Sequence, residues 1–501
     1  MADAARVSRP PAPAWAWSRY NTLFRSARYG WHLHNALSGV MLELDERHRD
    51  VAAALRESGA GAGGIGANAG ADGEFLSLLA EHGFLADPAG EKVKLMELRY
   101  RRSAACFGTS HVGLTICPTL ACNFACSYCF ERSQGDAAVM DGPTMDALLD
   151  FVGSHEDARH LFACWYGGEP TLVFDVIEAL TERFIALFPD YRDASLVTNG
   201  YLLDQEKIAR LGDLRITSVQ ITLDGVAATH DRRRRLRGGG ATCERILGNI
   251  DLLMASSWKG RCALRVNVDK ANQAEYATLR EELLERYEGG DLRVYPGRVN
   301  TFEGHPYGRD RGLCAAEWGA FELERYAADG IAPRGGFYPV SGAQDTCVAT
   351  SHQGYVVGPK GELYKCWEDV GRQDRAVGSV HAQPFITDPA LQARYTIGTD
   401  PHDDAECLEC VVFPVCGGGC VSKRLRALQF GERDIEYCSP LKESLEGYLD
   451  AYLDLWHTRM ICEAVLGTGS APSMEKGYRM VQPEMRTAAA KNPLEDLAEQ
   501  A

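Results

Sequence analysis

No apolar run in this sequence approaches the length of a membrane span. The first twenty residues, MADAARVSRPPAPAWAWSRY, hold no continuous apolar core of the kind a signal peptide needs, so the expected location is the cytoplasm. Positive charge is also short: 53 Lys and Arg stand against 69 Asp and Glu, a formal net charge of -16. That balance argues against a broad nucleic-acid surface, because phosphate binding needs the opposite sign. The one basic run, HDRRRRLR at 230–237, reads as a solvated loop. Cysteine, by contrast, is abundant. The 17 cysteines are odd in number and high for a cytosolic chain. A reducing compartment disfavours a disulfide scaffold, which leaves metal or cluster ligation, catalysis and core packing.

The 501 residues suffice for roughly two to four domains. Residues 1–18 are rich in Ala and Pro and are expected to be disordered. A small mixed domain follows over 19–98. Within it, YGWHLHNALSGVMLELDE suggests two short strands joined by a turn, and RHRDVAAALRES and EFLSLLAEHGFLAD suggest helices. The glycine-rich stretch 59–70 between those helices reads as a flexible loop. From residue 105 to 300 strands alternate with helices. Strands are expected at 111–117, 160–166, 194–198, 216–223, 262–268 and 291–296, with helices near 143–153, 173–188, 204–212, 242–258 and 273–287. This predicts an α/β fold, a parallel sheet in a partial (β/α)6 TIM-like barrel, with too few strands for a closed eight-stranded one. Residues 301–346 read as a linker, 347–440 as a cysteine-rich domain, 441–466 as an amphipathic helix and 467–501 as a weakly ordered tail.

The loop after the first strand reads ICPTLACNFACSYCFE and carries Cys122, Cys126 and Cys129 as C-x3-C-x2-C. Chemistry on a parallel barrel sits on such loops. Three thiolates can hold three irons of a [4Fe–4S] cluster and leave the fourth open to a ligand. Zinc with a remote fourth ligand is the alternative reading of the spacing. Cys117, out of pattern at the strand end, reads as packing. After the second strand comes YGGEP, after the third TNG and after the fourth TLDG. Two adjacent glycines let backbone carbonyls approach a ligand, and Glu169 offers charge to an ammonium.

The three-cysteine spacing, with Tyr128 before its last cysteine, resembles the signature of radical S-adenosylmethionine enzymes. The resemblance implies that the open iron is chelated by S-adenosylmethionine, whose reductive cleavage yields a 5′-deoxyadenosyl radical that takes a hydrogen from the substrate. It implies contacts to S-adenosylmethionine from Tyr128, Gly167, Gly168, Glu169, Pro170, Thr198, Asn199, Thr222 and Arg234. It also implies an external electron donor such as flavodoxin or ferredoxin.

Downstream, Cys347, Gly361, Cys366, Cys407, Cys410, Cys416, Cys420 and Cys438 resemble the SPASM extension of that family, with all seven cysteine positions filled. Two zinc ribbons are the alternative use of these thiolates. The resemblance implies three [4Fe–4S] clusters in all. Cys407, Cys410, Cys416 and Cys438 would hold one auxiliary cluster completely, and Cys347, Cys366 and Cys420 the other, one ligand short. Ser341 stands where some relatives carry the extra cysteine; Cys314 could fold back to complete the set, or a substrate thiolate could do so.

SPASM enzymes mostly modify ribosomally made peptides or proteins. In the branch that makes formylglycine in sulfatases an aspartate follows the glycine-linked cysteine; Trp367 stands there, which counts against that activity. The mixed N-terminal segment is similar to the small winged-helix-like domain that binds leader peptides in peptide maturases, through a strand edge that accepts an extended peptide. The expected function is a radical S-adenosylmethionine peptide maturase acting on a precursor peptide with a leader, forming a thioether or carbon–carbon crosslink. Formylglycine formation, epimerisation, or a non-catalytic iron–sulfur electron-transfer protein are the alternatives. Tyr307, His305, Glu368 and Asp369 are unranked candidates for a catalytic acid or base.

Overall fold

In the computed structural model the described residues are 15–58, 72–131, 137–188, 190–301, 307–333, 336–339, 347–465, 474 and 476–481. Residues 1–14, the stretch 59–70, His305, Ser341 and 482–501 lie outside them. No helix among the described residues is long and apolar enough to cross a membrane.

The central sheet follows from the βα alternation. Its parallel strands are His111–Ile116 (β1), His160–Trp165 (β2), Ala194–Thr198 (β3), Ile216–Thr222 (β4), Arg261–Val268 (β5) and Leu292–Arg298 (β6). β1 is buried along nearly its whole length, as expected of a central strand of a parallel sheet. Aspartates start the helices that follow: Asp141 accepts from the Thr144 N–H at 2.9 Å and Asp204 from the Lys207 N–H at 3.1 Å.

The sheet is larger than expected. Gly354–Val357 (β7), from the cysteine-rich segment, pairs parallel with β1, Gly354 opposite Gly113 and Val357 opposite Ile116. Glu362–Tyr364 (β8) and Gly378–Ser379 (β9) then add antiparallel. The order is β6-β5-β4-β3-β2-β1-β7-β8-β9, an open sheet of nine strands. The cysteine-rich segment is therefore sewn to the βα unit by backbone hydrogen bonds.

Several expected boundaries need correction. The 301–346 linker contains a 15-residue helix, Ala315–Asp329, packed on the C-terminal helix Leu441–Val465. Its start was hidden because a cysteine, Cys314, serves as N-cap in a box with Glu317. A 19-residue helix, Pro88–Cys106, joins the N-terminal domain to β1. Asp87 as cap and Pro88 as first helical residue signal it, but its mostly exposed surface gives no apolar stripe. In the N-terminal domain, Asn21–Ser26, Gly30–Asn35 and Val40–Leu44 form an antiparallel meander, and a fourth strand, Tyr478–Val481, comes from the stretch read as a weakly ordered tail. Ala16–Trp17, within the segment expected to be disordered, pairs with Leu85–Ala86.

The basic run is not a solvated loop. Arg233 and Arg234 are buried, and the Arg233 guanidinium pairs with Asp224 at 3.2 Å and Asp269 at 2.6 Å, locking the ends of β4 and β5 together. Replacing Arg233 with Met leaves two buried carboxylates without their counter-charge. The expected cost is about 3–5 kcal/mol of unfolding free energy, read by urea denaturation against wild type.

Candidate active site at the strand ends

The loop that carries the three cysteines is held from both sides. Its backbone forms a short ladder with the arginine run: Ala125 N–H donates to Arg235 O at 2.9 Å, Arg237 N–H to Asn123 O at 2.9 Å, and Phe124 bridges to Leu236. The Arg237 Nε also donates to Cys122 O at 2.7 Å. On the other side the Gly167–Gly168 turn comes up against the loop's first residues. A Cβ on Gly168 would lie 2.3 Å from Ala121 O and 2.4 Å from Leu120 O, and one on Gly167, at φ +115°, 2.5 Å from Thr119 O. Only glycine permits this approach.

Glu169, expected to offer charge to an ammonium, lines the cavity with its carboxylate held by the chain's own donors. One carboxylate oxygen accepts from Thr171 N–H at 3.1 Å, Thr171 Oγ1 at 2.5 Å and Thr198 Oγ1 at 2.6 Å; the other accepts from Asn199 N–H at 2.7 Å. The side chain thus ties the end of β2 to the end of β3. Burial raises its pKa, and these donors oppose the rise. Asn199 in turn donates to Asn123 Oδ1 at 2.7 Å, so TNG braces the cysteine loop.

Tyr128, inside the motif, accepts from Arg234 Nη1 at 2.6 Å and from Asn267 Nδ2 at 3.0 Å. Arg234 is buried, and its Nε has no partner among the described residues. Arg233, its neighbour, stacks over the Tyr128 ring at 5.1 Å. The arginine singled out from the run is the one that reaches the site, and the arginine beside it is structural.

These groups line one cavity of about 540 Å³ together with residues of four of the parallel strands, β3 to β6. Cys122, Cys126 and Cys129 line it, with Tyr128, Gly167, Gly168, Glu169, Thr198, Asn199, Thr222 and Arg234. Pro170 is buried but stands behind the lining. Cys347, Cys366, Cys416 and Cys420 open onto the same space. Cys347, which precedes β7, and Cys366, which follows β8, come from the segment that β7 joins to the main sheet, and both line the cavity.

The thiols fit ligation to a cationic centre. Burial pushes Cys122 up to about 12, with Glu169 adding to the rise, and burial also raises Cys126 and Cys129. A bare thiolate is disfavoured there, and bound iron would supply the missing positive charge. Burial likewise pushes Cys347 up to about 11 and Cys366 well above its usual value. Burial raises the Cys438 thiol as well; Lys442 opposes this, while Cys416, Cys407 and Cys410 add to it, which marks the four as neighbours. Among the described residues no three His, Cys, Asp or Glu side chains converge on the point a single ion would occupy.

Cys314 does not join the Cys347, Cys366 and Cys420 trio. It caps the Ala315–Asp329 helix, accepting from Glu317 N–H at 3.4 Å, and it does not line the cavity. The expectation that it completes the set is corrected. Of the other cysteines, Cys106, Cys117, Cys164, Cys243 and Cys262 are buried packing residues. Among the described candidate acids and bases, Tyr307, Glu368 and Asp369, only Glu368 lines the cavity. It accepts from Arg426 Nη1 at 2.8 Å and Asn300 Nδ2 at 3.2 Å. Tyr307 belongs to the buried Arg233–Asp269 network, accepting from Arg233 Nη1 at 3.0 Å, and Asp369 is buried against Tyr395.

Three groups escaped the sequence reading. Glu131, two residues past Cys129, is a buried carboxyl on the cavity, pushed up to about 8 by burial and Glu169. Lys365 is fully buried beside Cys366, its Nζ donating to Ser351 O at 2.5 Å and to Gly354 O. Arg424 Nη1 donates to Cys407 Sγ at 3.2 Å. Adjacency to motif cysteines was the available signal for the first two; burial, which the sequence does not state, is what makes them notable.

Replacing Gly168 with Ala drives a methyl group into the Leu120 and Ala121 carbonyls, and backbone cannot yield cheaply. The expected result is a loss of about 1–3 kcal/mol of stability and reduced iron at the three-cysteine loop. Chemical denaturation and iron analysis of anaerobic protein read both.

Residues 116–283 match the family described as the Radical SAM superfamily. Fe-coproporphyrin III synthase of Methanosarcina barkeri is 28% identical over 192 residues, 36% of this chain and 43% of that protein. Mycofactocin maturase MftC of Mycolicibacterium smegmatis is 24% identical over 326 residues, 61% of this chain and 77% of that one. The chain spans less than half the length of the first curated relatives it matches. Among solved structures, native anSMEcpe with bound AdoMet and Cp18Cys peptide superposes with a TM-score of 0.51 at 18% identity, over 71% of this chain and 99% of that chain, which shows a shared fold. The family model matches the stretch that carries the cysteine loop and the strand-end motifs.

Proposed function

We propose that this protein is a radical S-adenosylmethionine peptide maturase of the SPASM type, forming a thioether or carbon–carbon crosslink in a ribosomally made precursor peptide. The observation that carries the reading is the shared cavity. The three-cysteine loop and the glycine turn face Cys347, Cys366 and Cys420 across one space of about 540 Å³. A protein that only shuttles electrons has no need of a cradle of glycine backbone between its cysteine sets.

Cys122, Cys126 and Cys129 would hold the cluster that binds S-adenosylmethionine. Cys407, Cys410, Cys416 and Cys438 would hold one auxiliary cluster, and Cys347, Cys366 and Cys420 the other. When bound, the cluster and S-adenosylmethionine supply one-electron reduction and hydrogen-atom abstraction. The chain's own residues orient and enclose. Backbone at Gly167 and Gly168 offers carbonyls to an ammonium, while Glu169 fixes that turn through Thr198 and Asn199. Arg234, steered by Tyr128, presents a guanidinium suited to a carboxylate. Thr222 lines the same wall at the end of β4. With Cys314 engaged as a helix cap, the trio's fourth position is left to a substrate thiolate or to a group outside the described residues. An oxidised substrate must also release a proton, and Glu368 is positioned on the cavity wall to accept one. The N-terminal sheet is the surface for the leader.

Coexpression with a short open reading frame beside the gene tests the reading by peptide mass. Loss of a pair of hydrogens per crosslink, absent with Cys126→Ala, is the expected result; an unchanged mass with every adjacent frame contradicts it. Glu368→Gln should cut product formation by about 100-fold while leaving S-adenosylmethionine affinity as in wild type.

A further inference from the structure

The N-terminal meander is finished by a strand from the far end of the chain. Tyr478–Val481 pairs antiparallel with Val40–Leu44, Tyr478 opposite Leu44, Arg479 opposite Glu43, Met480 opposite Leu42 and Val481 opposite Met41. Its side chains alternate. Tyr478 lies against Phe75 and His48, each with ring centroids 5.3 Å apart. Met480 packs on the same apolar cluster as Tyr478, centred on Leu42 and Phe75. On the opposite face Val481 is buried with Met41, Phe24 and Leu449, and the Arg479 guanidinium sits 5.2 Å from the Trp456 ring. Arg479 Nε donates to Glu43 Oε2 at 2.8 Å.

The meander does not need this strand to be complete. Leu33, Leu42, Leu44, Phe75, Leu79 and Phe84 form its buried core, with Tyr478 and Met480 only partly buried at the margin. Among the described residues the addition spans four residue pairs, with the Arg479–Glu43 ion pair across them. The strand pairs on one side only, at the end of the sheet, and a sheet edge accepts any extended segment whose alternate side chains fit its two faces. The stretch that precedes it, GTGSAPSMEKG, is of linker composition. The structure therefore displays both a strand edge and the side-chain pattern that fits it.

We propose that the Val40–Leu44 edge is an exchangeable peptide-docking site kept covered by the chain's own Tyr478–Val481 strand. Its competing occupant is an extended peptide that presents a basic residue to Glu43 between two apolar ones. On the maturase reading, on which this last identification rests, that occupant is the precursor's leader, and the C-terminal strand holds the docking edge closed until a leader displaces it. The exchange itself does not depend on that reading, because it is measured as binding, without S-adenosylmethionine or turnover.

The probe is a fluorescein-labelled peptide with the sequence of residues 474–483, MEKGYRMVQP, added to the full chain. In wild type the tethered strand competes at an effective concentration on the order of millimolar. Arg479→Glu repels the internal strand from Glu43, so this variant should bind the peptide at least roughly tenfold more tightly than wild type. Glu43→Arg should reverse the preference, binding the peptide that carries Glu in place of its arginine. Equal binding by all three chains, or binding by none, overturns the proposal. So does a dimer of the Arg479→Glu chain that takes up no peptide, which would assign the edge to a second copy. Hydrogen exchange on wild type needs no variant to fold. Amides of 478–481 should exchange faster than those of 31–35, and equal protection also overturns exchange at this edge.

Discussion

The strand-end site depends on the close approach of two backbones. The turn at Gly167 and Gly168 presses on the carbonyls of Thr119, Leu120 and Ala121, leaving no room for a Cβ at either glycine. That contact fixes where the cysteine loop starts relative to β2. The remaining supports act on a loop already seated. Glu169 binds the turn to β3, Asn199 reaches back to Asn123, and the arginine run pairs with the loop's far side. Each is a hydrogen bond or ion pair that loses its geometry if the glycine contact opens.

A second constraint is the continuity of the sheet. β7 pairs with β1 in parallel, so the cysteine-rich segment is an extension of the same sheet. Cys347 and Cys366, which flank β7 and β8 in the chain, line the cavity that the three-cysteine loop also lines. Two cysteine sets on one shared cavity suit chemistry in which a substrate is reached from both. Arg424 adds a positive charge and a hydrogen bond to Cys407, and Lys365, which burial pulls down to about 7, is a titratable group beside Cys366; charge and hydrogen bonding near the sulfurs are means by which a protein tunes a cluster.

The βα core was legible because burial on both faces writes itself as compact apolar strands at regular spacing, and all six expected parallel strands are present. The motif residues were legible for a chemical reason: cysteine spacing and paired glycines have few other uses. What the sequence concealed was mostly long-range. Nothing local marks Gly354–Val357 as a partner of β1, or Tyr478–Val481 as a partner of Val40–Leu44. The arginine run misled because charge was read as solvation, whereas Arg233 is neutralised by Asp224 and Asp269 from distant strand ends. Glu169 lines the cavity, but its carboxylate is occupied by the chain's own donors, which no local pattern announces. Cys314 shows that a cysteine near a cluster-binding segment in sequence can serve a helix instead.

The central claim is that the cavity is a reaction site for S-adenosylmethionine. The most direct test is 5′-deoxyadenosine formation by anaerobic, iron-reconstituted protein given reductant and S-adenosylmethionine, beside a variant with Cys122, Cys126 and Cys129 all replaced by Ala. The account predicts 5′-deoxyadenosine from wild type and none from the variant, with the auxiliary cysteines intact in both. No 5′-deoxyadenosine from wild type with a full iron complement, or equal amounts from both proteins, would contradict it.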